Sequence, residues 1–310
     1  MRIVFFGTGK FGIPSLEGLL SSSHEVAAVV TQPDRPKGRG WKLQPTEVKA
    51  WISSAAGEVK ILQPENKGAT DIAGELEKIE ADVYVVIDYG RILKKEVLRL
   101  PAKYCVNLHP SLLPAYRGAA PVNRAILNGE VKTGITVFRM NERMDAGDII
   151  LQEESDVDPS DNALTLSERL SKEGASLLLE ALAQIQDGSE VFTPQDETAV
   201  TFAPKLNKEE GKIDWSSTAE KIVAQVRGMI PWPGAYTFFN GKRLGVLGAC
   251  VDDPEGTLLP QGGLVREGAF IVATGKGTVK IDILQPEGKK AMAAEDFLRG
   301  QNLSKGTVLG

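Results

Sequence analysis

The stretch at residues 107–121 constrains the fold of this chain more than any other part of the sequence. It reads Asn-Leu-His-Pro-Ser-Leu-Leu-Pro-Ala-Tyr-Arg-Gly-Ala-Ala-Pro, with the apolar run 104–106 before it and the segment 122–127 after it. Its three prolines interrupt regular hydrogen bonding because proline has no backbone N–H. The stretch therefore predicts a short buried strand, a loop and a helix, which is the alternation of an α/β fold.

Two polar side chains, Asn107 and His109, come where this predicted strand ends. Residues two apart on a strand point to the same face of the sheet. In open α/β sheets, ligands bind beyond the carboxyl ends of the strands. An amide donor beside an imidazole suits the stabilisation of an oxyanion in acyl transfer. The alternative is an ordinary turn with a hydrogen-bonded histidine.

The counts of histidine and cysteine restrict the chemistry. Among 310 residues there are two histidines and two cysteines. They exclude a disulfide framework and leave too few ligands for a metal centre built on histidine or cysteine, so no metal is expected. Because His24 lies in a polar turn, Ser-Ser-Ser-His-Glu, the candidate catalytic imidazole is His109.

Strand and helix patterns alternate over the first part of the chain, which predicts a Rossmann-like doubly wound parallel sheet. Period-2 segments in the last third predict a smaller OB-like β-barrel. We expect a catalytic domain over 1–190, a linker over 191–206 and a C-terminal β-barrel domain over 207–310. The predicted strands are 1–6, 26–31, 59–62, 82–87, 104–106, 133–140, 149–153, 235–239, 243–250, 268–274 and 278–284, with a long helix over 163–185.

The turn after the first strand, Gly7-Thr8-Gly9-Lys10-Phe11-Gly12, matches the G-x-G-x-x-G pattern of dinucleotide-binding folds. Asp34 follows at about the spacing of the residue that binds a ribose in those folds. However, it lies in Gln-Pro-Asp-Arg-Pro, which predicts a turn rather than the tip of a strand. A nicotinamide-dependent oxidoreductase therefore stays an alternative from another enzyme class.

The segment 32–45 is rich in proline and glycine and predicts a long, exposed, structureless loop. Its cations surround Trp41, a combination that suits a phosphate backbone and a stacked base. The alternative is a solvated loop. The cations are Arg35, Lys37, Arg39 and Lys42.

Asp145 follows the predicted strand 133–140, and we expect it at the edge of the sheet that carries Asn107 and His109. This set contains no activated serine or cysteine, so it suits a reaction whose nucleophile arrives with the substrate, such as attack of an amine on an acyl carbonyl. Asp145 could orient His109 and move the proton of the amine. The alternative is that Asp145 and Asp148 only cap turns.

Taken together, these motifs make the chain similar to the methionyl-tRNA formyltransferase family over essentially its whole length. The Asn-x-His-Pro-Ser-Leu-Leu-Pro motif with Asp145 is shared by folate-dependent formyltransferases. The loop after the second strand and the C-terminal domain are more specific to the tRNA enzymes. The matching stretches are 6–8, 31–43, 107–121, 133–136, 144–148, 205–215 and 231–233.

The resemblance implies transfer of the formyl group of 10-formyltetrahydrofolate to the α-amine of methionine on initiator tRNA. Folate would be a co-substrate, with no tightly bound cofactor. By matching positions, Asn107, His109 and Asp145 would be catalytic. Ser111, Leu112, Leu113 and Pro114 would line the folate site, and Arg35, Lys37, Arg39 and Lys42 would contact tRNA.

Three positions depart from the family pattern. Asp88 stands where the family has a small apolar residue near the expected pterin pocket, which makes it a candidate folate-binding residue. Gly9 replaces a proline, so the glycine-rich pattern is accidental under this interpretation. Trp41 replaces a basic residue. Two alternatives to a tRNA formyltransferase stay open: a formyltransferase for an amino-sugar nucleotide and a catalytically silent RNA-binding protein.

Location and partners follow from the termini and the hydropathy. The N-terminus shows no signal peptide, and no apolar run reaches the roughly 20 residues of a membrane helix. We expect a cytoplasmic monomer with no DNA or membrane partner.

Overall fold

The structure, a computed structural model, describes residues 1–37, 40–55, 59–66, 68–256, 260–265, 269–301 and 305–310. The chain divides into two compact units. The first comprises Met1–Pro121, Lys132–Asp156 and Ser167–Ala203, and the second comprises Val122–Val131, Val157–Leu166 and Pro204–Gly310.

The elements of the first two-thirds of the chain follow the predicted alternation. The strands are β1 (Arg2–Gly7), β2 (Glu25–Val30), β3 (Arg35–Lys37), β4 (Lys42–Gln44), β5 (Lys60–Leu62), β6 (Val83–Ile87), β7 (Tyr104–His109), β8 (Arg117–Gly118), β9 (Lys132–Arg139), β10 (Ile149–Asp156) and β11 (Phe202–Ala203). The helices are α1 (Ile13–Leu20), α2 (Glu47–Ala55), α3 (Ala73–Glu77), α4 (Lys95–Leu98), α5 (Pro121–Leu127) and α6 (Ala163–Asp187).

The first unit is built on a sheet with the order β10-β9-β7-β6-β1-β2-β5. The strands β5, β2, β1, β6 and β7 are parallel, which confirms the doubly wound prediction for this part. Their apolar runs are buried, as expected for strands covered on both faces: all five residues of β6 and five of the six residues of β1 are buried.

The prediction of a parallel sheet is wrong for β9 and β10, which run antiparallel to their neighbours. The connection between them, residues 140–148, contains no helix. Parallel neighbours need a crossover of roughly a dozen or more residues, whereas antiparallel neighbours can be joined by a short connection.

The sheet order places one crevice at the carboxyl ends of β1 and β6. From β1 the chain runs to β2 and β5 on one side, while β6 and β7 lie on the other, so the switch point of the topology is between β1 and β6. The register pairs Gly7 with Ile87 and Val86 with Asn107. The residues that follow β1 and β6 therefore share this edge with the end of β7.

The prediction that the segment 32–45 has no regular structure is wrong. Its two ends form an antiparallel ribbon, in which β3 pairs with β4 from Arg35 opposite Gln44 to Lys37 opposite Lys42. The left-handed backbone of Gly40 (φ 102°) and Trp41 (φ 51°) lets the chain reverse direction here. A two-stranded ribbon also tolerates the proline of β3, because an edge strand has backbone groups that need no partner.

The second unit contains α7 (Ala219–Gly228), β12 (Ala235–Phe239), β13 (Lys242–Asp253), β14 (Ile271–Ala273), β15 (Thr278–Pro286), β16 (Met292–Ala293) and α8 (Ala294–Arg299). Its antiparallel sheet has the order β12-β13-β15-β14, with β16 also on β15, and it curls into a half-barrel. Trp215 lies in the core and donates from Nε1 to Oγ1 of Thr237 at 3.0 Å. The predicted OB-like fold of this part is confirmed. Of the predicted strand 268–274, Gly268 is outside the described residues.

Two further observations concern the described part of the chain only. None of its helices combines the length and the apolar character needed to span a membrane. Nor do its histidine, cysteine, aspartate and glutamate side chains form a group of three or more that could hold a metal ion.

Candidate active site

Strand β7 carries Asn107 and His109 at its carboxyl end, as the spacing predicts. His109 is 5% exposed, and its Nε2 lies 2.9 Å from the carbonyl oxygen of Tyr116. A carbonyl only accepts hydrogen bonds, so Nε2 must carry the proton and Nδ1 is the nitrogen left for acid–base chemistry. Asn107 is half-buried, and its amide makes no hydrogen bond with any described residue.

Asp145 lies beside this imidazole. Its Oδ2 accepts from the backbone N–H of Gly118 at 2.8 Å and lies 3.9 Å from Nδ1 of His109. The structure thus brings His109 and Asp145 together. The route differs from the prediction, since Asp145 lies in the 140–148 connection between antiparallel strands rather than beyond a parallel strand.

The loop after β7 is anchored on β9 and β10. Thr136 donates from Oγ1 to the carbonyl oxygen of Ser111 at 2.6 Å and accepts from the N–H of Leu113 at 3.2 Å. Gln152 donates to the carbonyl oxygen of Leu113 at 3.0 Å. The Ser111 hydroxyl is used inside the loop, because it donates to the carbonyl oxygen of Ala115 at 2.6 Å. The loop is therefore pre-formed.

The four predicted folate residues of this loop differ in exposure. Ser111 and Leu113 are buried, whereas Leu112 and Pro114 are half-buried. Leu112 packs closely on Gly134 of β9, where a Cβ would lie 3.0 Å from its Cγ. The peptide bond before Pro114 is cis. Leu112 and Pro114 are thus the two side chains of the four that keep some surface open to a ligand.

Asp88 lies at the switch point of the sheet, directly after β6. Its backbone is left-handed (φ 47°), and its carbonyl oxygen accepts from the N–H groups of Thr8 at 3.1 Å and Gly9 at 3.4 Å. Asp88 is an exposed residue, but the protein atoms packed around its carboxyl group exclude part of the solvent there. This desolvation, with the negative charge of Glu47 nearby, raises the pKa of Asp88 to about 6. Its carboxyl makes no hydrogen bond or ion pair with the residues that the structure describes.

The same contacts weigh against a dinucleotide site in the glycine-rich turn. The N–H groups of Thr8 and Gly9 are already donated to Asp88, whose carboxylate would oppose a pyrophosphate. Asp34, the candidate ribose ligand, instead accepts from Lys49 at 2.8 Å and from Gln63 at 2.7 Å. These hydrogen bonds, that from Lys49 first, lower the pKa of the Asp34 carboxyl.

The predicted tRNA-contacting cations lie on or near the β3–β4 ribbon. Arg35 and Lys42 are exposed and form no ion pair with described residues, and between them Trp41 is 81% exposed. Arg39 lies outside the described residues, and only the backbone of Lys37 is described. Of the two cations whose side chains are described, neither Arg35 nor Lys42 makes a hydrogen bond or ion pair with His109 or Asp145.

A polar cluster near the site escaped the sequence analysis. Arg117 is only 3% exposed, and it donates to Gln195 and Glu197, which lie in the segment predicted as a linker. The sequence carried one signal, a run of polar residues at 195–197 in an otherwise short connection. Arg117 lies about 80 residues away in the chain, so the register of this contact could not be inferred from the sequence.

Comparisons with known proteins agree with this geometry. The family model described as formyl transferase matches residues 1–182, and the model of the formyl transferase C-terminal domain matches residues 205–302. Methionyl-tRNA formyltransferase of Moorella thermoacetica is 45% identical over 315 residues, which cover 100% of this chain and 99% of that protein. The protein of the same name from Syntrophus aciditrophicus is 44% identical over 311 residues, again covering 100% of this chain and 99% of the relative.

Among solved structures, an N-formyltransferase from Helicobacter canadensis in complex with folinic acid and dTDP-3-aminofucose has a TM-score of 0.69 at 19% identity. The match covers 92% of this chain and 99% of that one, and at this identity it concerns the fold alone. The family models and the full-length relatives show that the chain belongs to the formyl transferases, within the family of the methionyl-tRNA formyltransferases.

Proposed function

We propose that this chain transfers the formyl group of 10-formyltetrahydrofolate to the α-amine of methionine on initiator methionyl-tRNA. The observation that carries the proposal is the approach of His109 to Asp145, at 3.9 Å, on the strand that also carries Asn107, whose side-chain amide has no hydrogen-bond partner among the described residues. This set can stabilise an oxyanion and move a proton, and it has no side-chain nucleophile. It therefore needs a substrate that brings its own nucleophile, and an α-aminoacyl ester does.

The reaction begins with the amine. Because the neighbouring ester withdraws electrons, the α-amine is a weaker base than an ordinary amine and is partly neutral at neutral pH. Its lone pair forms a bond to the formyl carbon, and the carbonyl electrons move onto oxygen. Asn107 donates a hydrogen bond from its amide N–H₂ to this oxyanion, and His109 donates one from Nδ1 when this nitrogen carries a proton.

Proton transfer then completes the step. Asp145, a carboxylate before this step, accepts a proton from the attacking nitrogen. When the bond between the formyl carbon and N10 of the folate breaks, the electron pair stays on N10. N10 receives the proton that the amine released, so tetrahydrofolate leaves neutral at this nitrogen.

The folate occupies the crevice at the carboxyl ends of β1, β6 and β7 under this proposal. Leu112 and Pro114 supply apolar surface, while Ser111 and Leu113 hold the shape of the loop. Asp88 accepts hydrogen bonds from the N–H groups of the pterin ring, since its carboxyl has no donor among the described residues.

The tRNA is bound by the cations of the β3–β4 ribbon and by the C-terminal β-barrel domain. Arg35, Lys37, Arg39 and Lys42 neutralise phosphates, and Trp41 offers a face for stacking. We keep the division into a catalytic domain (1–190), a linker (191–206) and a tRNA-binding domain (207–310); the two family models, which end at 182 and begin at 205, support it. The protein acts as a cytoplasmic monomer, without a DNA or membrane partner.

The test is direct. The purified protein is incubated with 10-formyltetrahydrofolate and methionyl initiator tRNA, and formylmethionine is quantified after hydrolysis of the ester. Uncharged tRNA and a dTDP-amino sugar serve as controls, the latter because a sugar formyltransferase shares the fold. Formylation of the sugar but not of methionine would reject the proposal, as would NADH binding without any formyl transfer.

A further inference from the structure

We propose that Gln195, which lies in the segment 193–203 (here called the strap), is a positioning residue that holds Asp145 against His109. The roles of His109 and Asp145 rest on the proposed function. The strap lies entirely within the segment predicted as a linker (191–206), and all of it belongs to the first compact unit.

The side-chain amide of Gln195 joins two loops of the site. Its Oε1 accepts from Nε and Nη2 of Arg117, at 3.0 and 2.7 Å. Its Nε2 donates to the carbonyl oxygens of Asp145 and Gly147, at 2.9 and 2.7 Å. An amide offers two donors and two acceptor positions, and here all four are used inside the protein. Gln195 is therefore held in one orientation and fixes the distance between the loops.

The backbone of the strap is also hydrogen-bonded at both ends, to the start of β10 at one end and to residues 116–118 at the other. Thr193 exchanges two hydrogen bonds with Ile149, just after the Asp145 connection, at 2.8 and 2.9 Å. At the other end, Thr201 accepts from the N–H of Arg117 at 2.9 Å, and β11 pairs with β8. Thr201 Oγ1 also accepts from the N–H of Tyr116 at 2.8 Å, whose carbonyl oxygen faces His109.

Charge reinforces this arrangement. Arg117 is buried, and a buried cation is costly unless it is paired. Glu197 of the strap pairs with Arg117 at 3.1 Å and with Arg143, on the Asp145 connection, at 2.7 Å. These hydrogen bonds, the one to Arg117 first, lower the pKa of the Glu197 carboxyl.

Asp145 needs such support because its own backbone is unfavourable. Its φ of 50° is left-handed, a conformation that is unfavourable for a residue with a side chain and persists where the surroundings enforce it. The donation from Gln195 to the Asp145 carbonyl acts on this residue directly. Without it, the carboxylate loses its fixed place between the Gly118 N–H and the His109 ring.

Two variants of one side chain separate positioning from mere stability. Gln195→Glu keeps the acceptor for Arg117 but removes the two donors to the Asp145 connection, whereas Gln195→Met removes both functions at similar size. The matched control is Asp196→Asn, because among the described residues the Asp196 side chain accepts hydrogen bonds from Thr198 alone. Thermal unfolding verifies that each variant is folded at the assay temperature.

We expect both Gln195 variants to lower kcat by roughly 10- to 100-fold, since a displacement of about 1 Å of a reacting group has an effect of this size. The KM values for folate and tRNA stay unchanged, and Asp196→Asn matches the wild type. In an Asp145→Asn background the effect of Gln195→Glu nearly disappears, because coupled residues are not additive. A full effect in that background would reject positioning through Asp145.

A second readout does not depend on activity. The chain has two histidines, so the ring nitrogen resonances of His109 can be followed in NMR spectra with His24 as an internal reference. Gln195→Glu should shift the His109 signals and leave those of His24 in place. Unchanged His109 signals in a folded variant overturn the inference even if the protein has no formyl transfer activity, while absent activity in the wild type would count against the proposed function alone.

Discussion

The carboxyl group of Asp88 lies directly against the Cα of Gly9, so that a Cβ at Gly9 would overlap with Oδ2 of Asp88 and lie 2.9 Å from its Cγ. The carboxylate fits at the switch point of the sheet because the neighbouring turn has no side chain there.

This contact predicts coupling between the two positions. Gly9→Ala should turn the Asp88 carboxylate away and raise the KM for 10-formyltetrahydrofolate by roughly tenfold, the effect expected when a hydrogen bond to a charged group is lost. In an Asp88→Ala background, Gly9→Ala should have no further effect. Steady-state kinetics on the four proteins give the comparison.

The control for this cycle is Gly74→Ala, because nothing lies within 4 Å of the position that a Cβ would take at Gly74. Equal effects of Gly9→Ala with and without Asp88 would mean that the turn acts on the donor by another route.

Asp88 should also make stability depend on pH. Burial, followed by the charge of Glu47, raises its pKa from 3.8 to about 6. The folded state therefore holds the proton more tightly than the unfolded state, and stability falls as the pH rises from about 4 through about 6. Asp88→Asn removes this charge, so its melting temperature should exceed that of the wild type at pH 7.5 and match it at pH 4.

Thermal unfolding over this pH range measures the difference. Glu47→Gln is a useful companion, since it removes the nearby like charge and should give a smaller change of the same sign. A difference between Asp88→Asn and wild type that stays constant from pH 4 to 7.5 would show that Asp88 ionises normally.

The catalytic pair gives a third prediction. In Asp145→Asn, the amide oxygen still accepts from the Gly118 N–H, so the connection keeps its place, but the group no longer takes up a proton. We expect kcat to fall by about 10²- to 10⁴-fold, the usual contribution of general acid–base catalysis. Binding of methionyl-tRNA, measured by filter retention, should persist.

Glu142→Gln is the matched control, because Glu142 lies on the same connection and pairs at the surface with Lys95. Turnover close to that of the wild type in Asp145→Asn would remove Asp145 from the proton path.

These residues also show what the sequence could predict. The spacing of Asn107 and His109 sufficed to place them together on β7, because the side-chain period of a strand is local information. The sequence predicts Asp145 near His109 on the assumption that the strands are parallel. In the structure this approach depends on β9 and β10 being antiparallel, which the pattern of apolar residues does not reveal. Neither the hydrogen bonds of Gln195 nor the contact between Gly9 and Asp88 could be predicted, because both depend on the register of segments distant in the chain.

The ribbon of β3 and β4 yields the last prediction. Arg35 and Lys42 are exposed and have no ion-pair partner among the described residues, so they are available to phosphates. For each contact that is lost in Arg35→Ala or Lys42→Ala, the slope of log affinity for tRNA against log salt should decrease in magnitude by about 0.7 to 0.9. Folate binding should not change, and Lys172→Ala, an exposed lysine on α6, should leave the slope as it is. If the ribbon variants keep the wild-type slope, the ribbon does not contact the phosphates of tRNA.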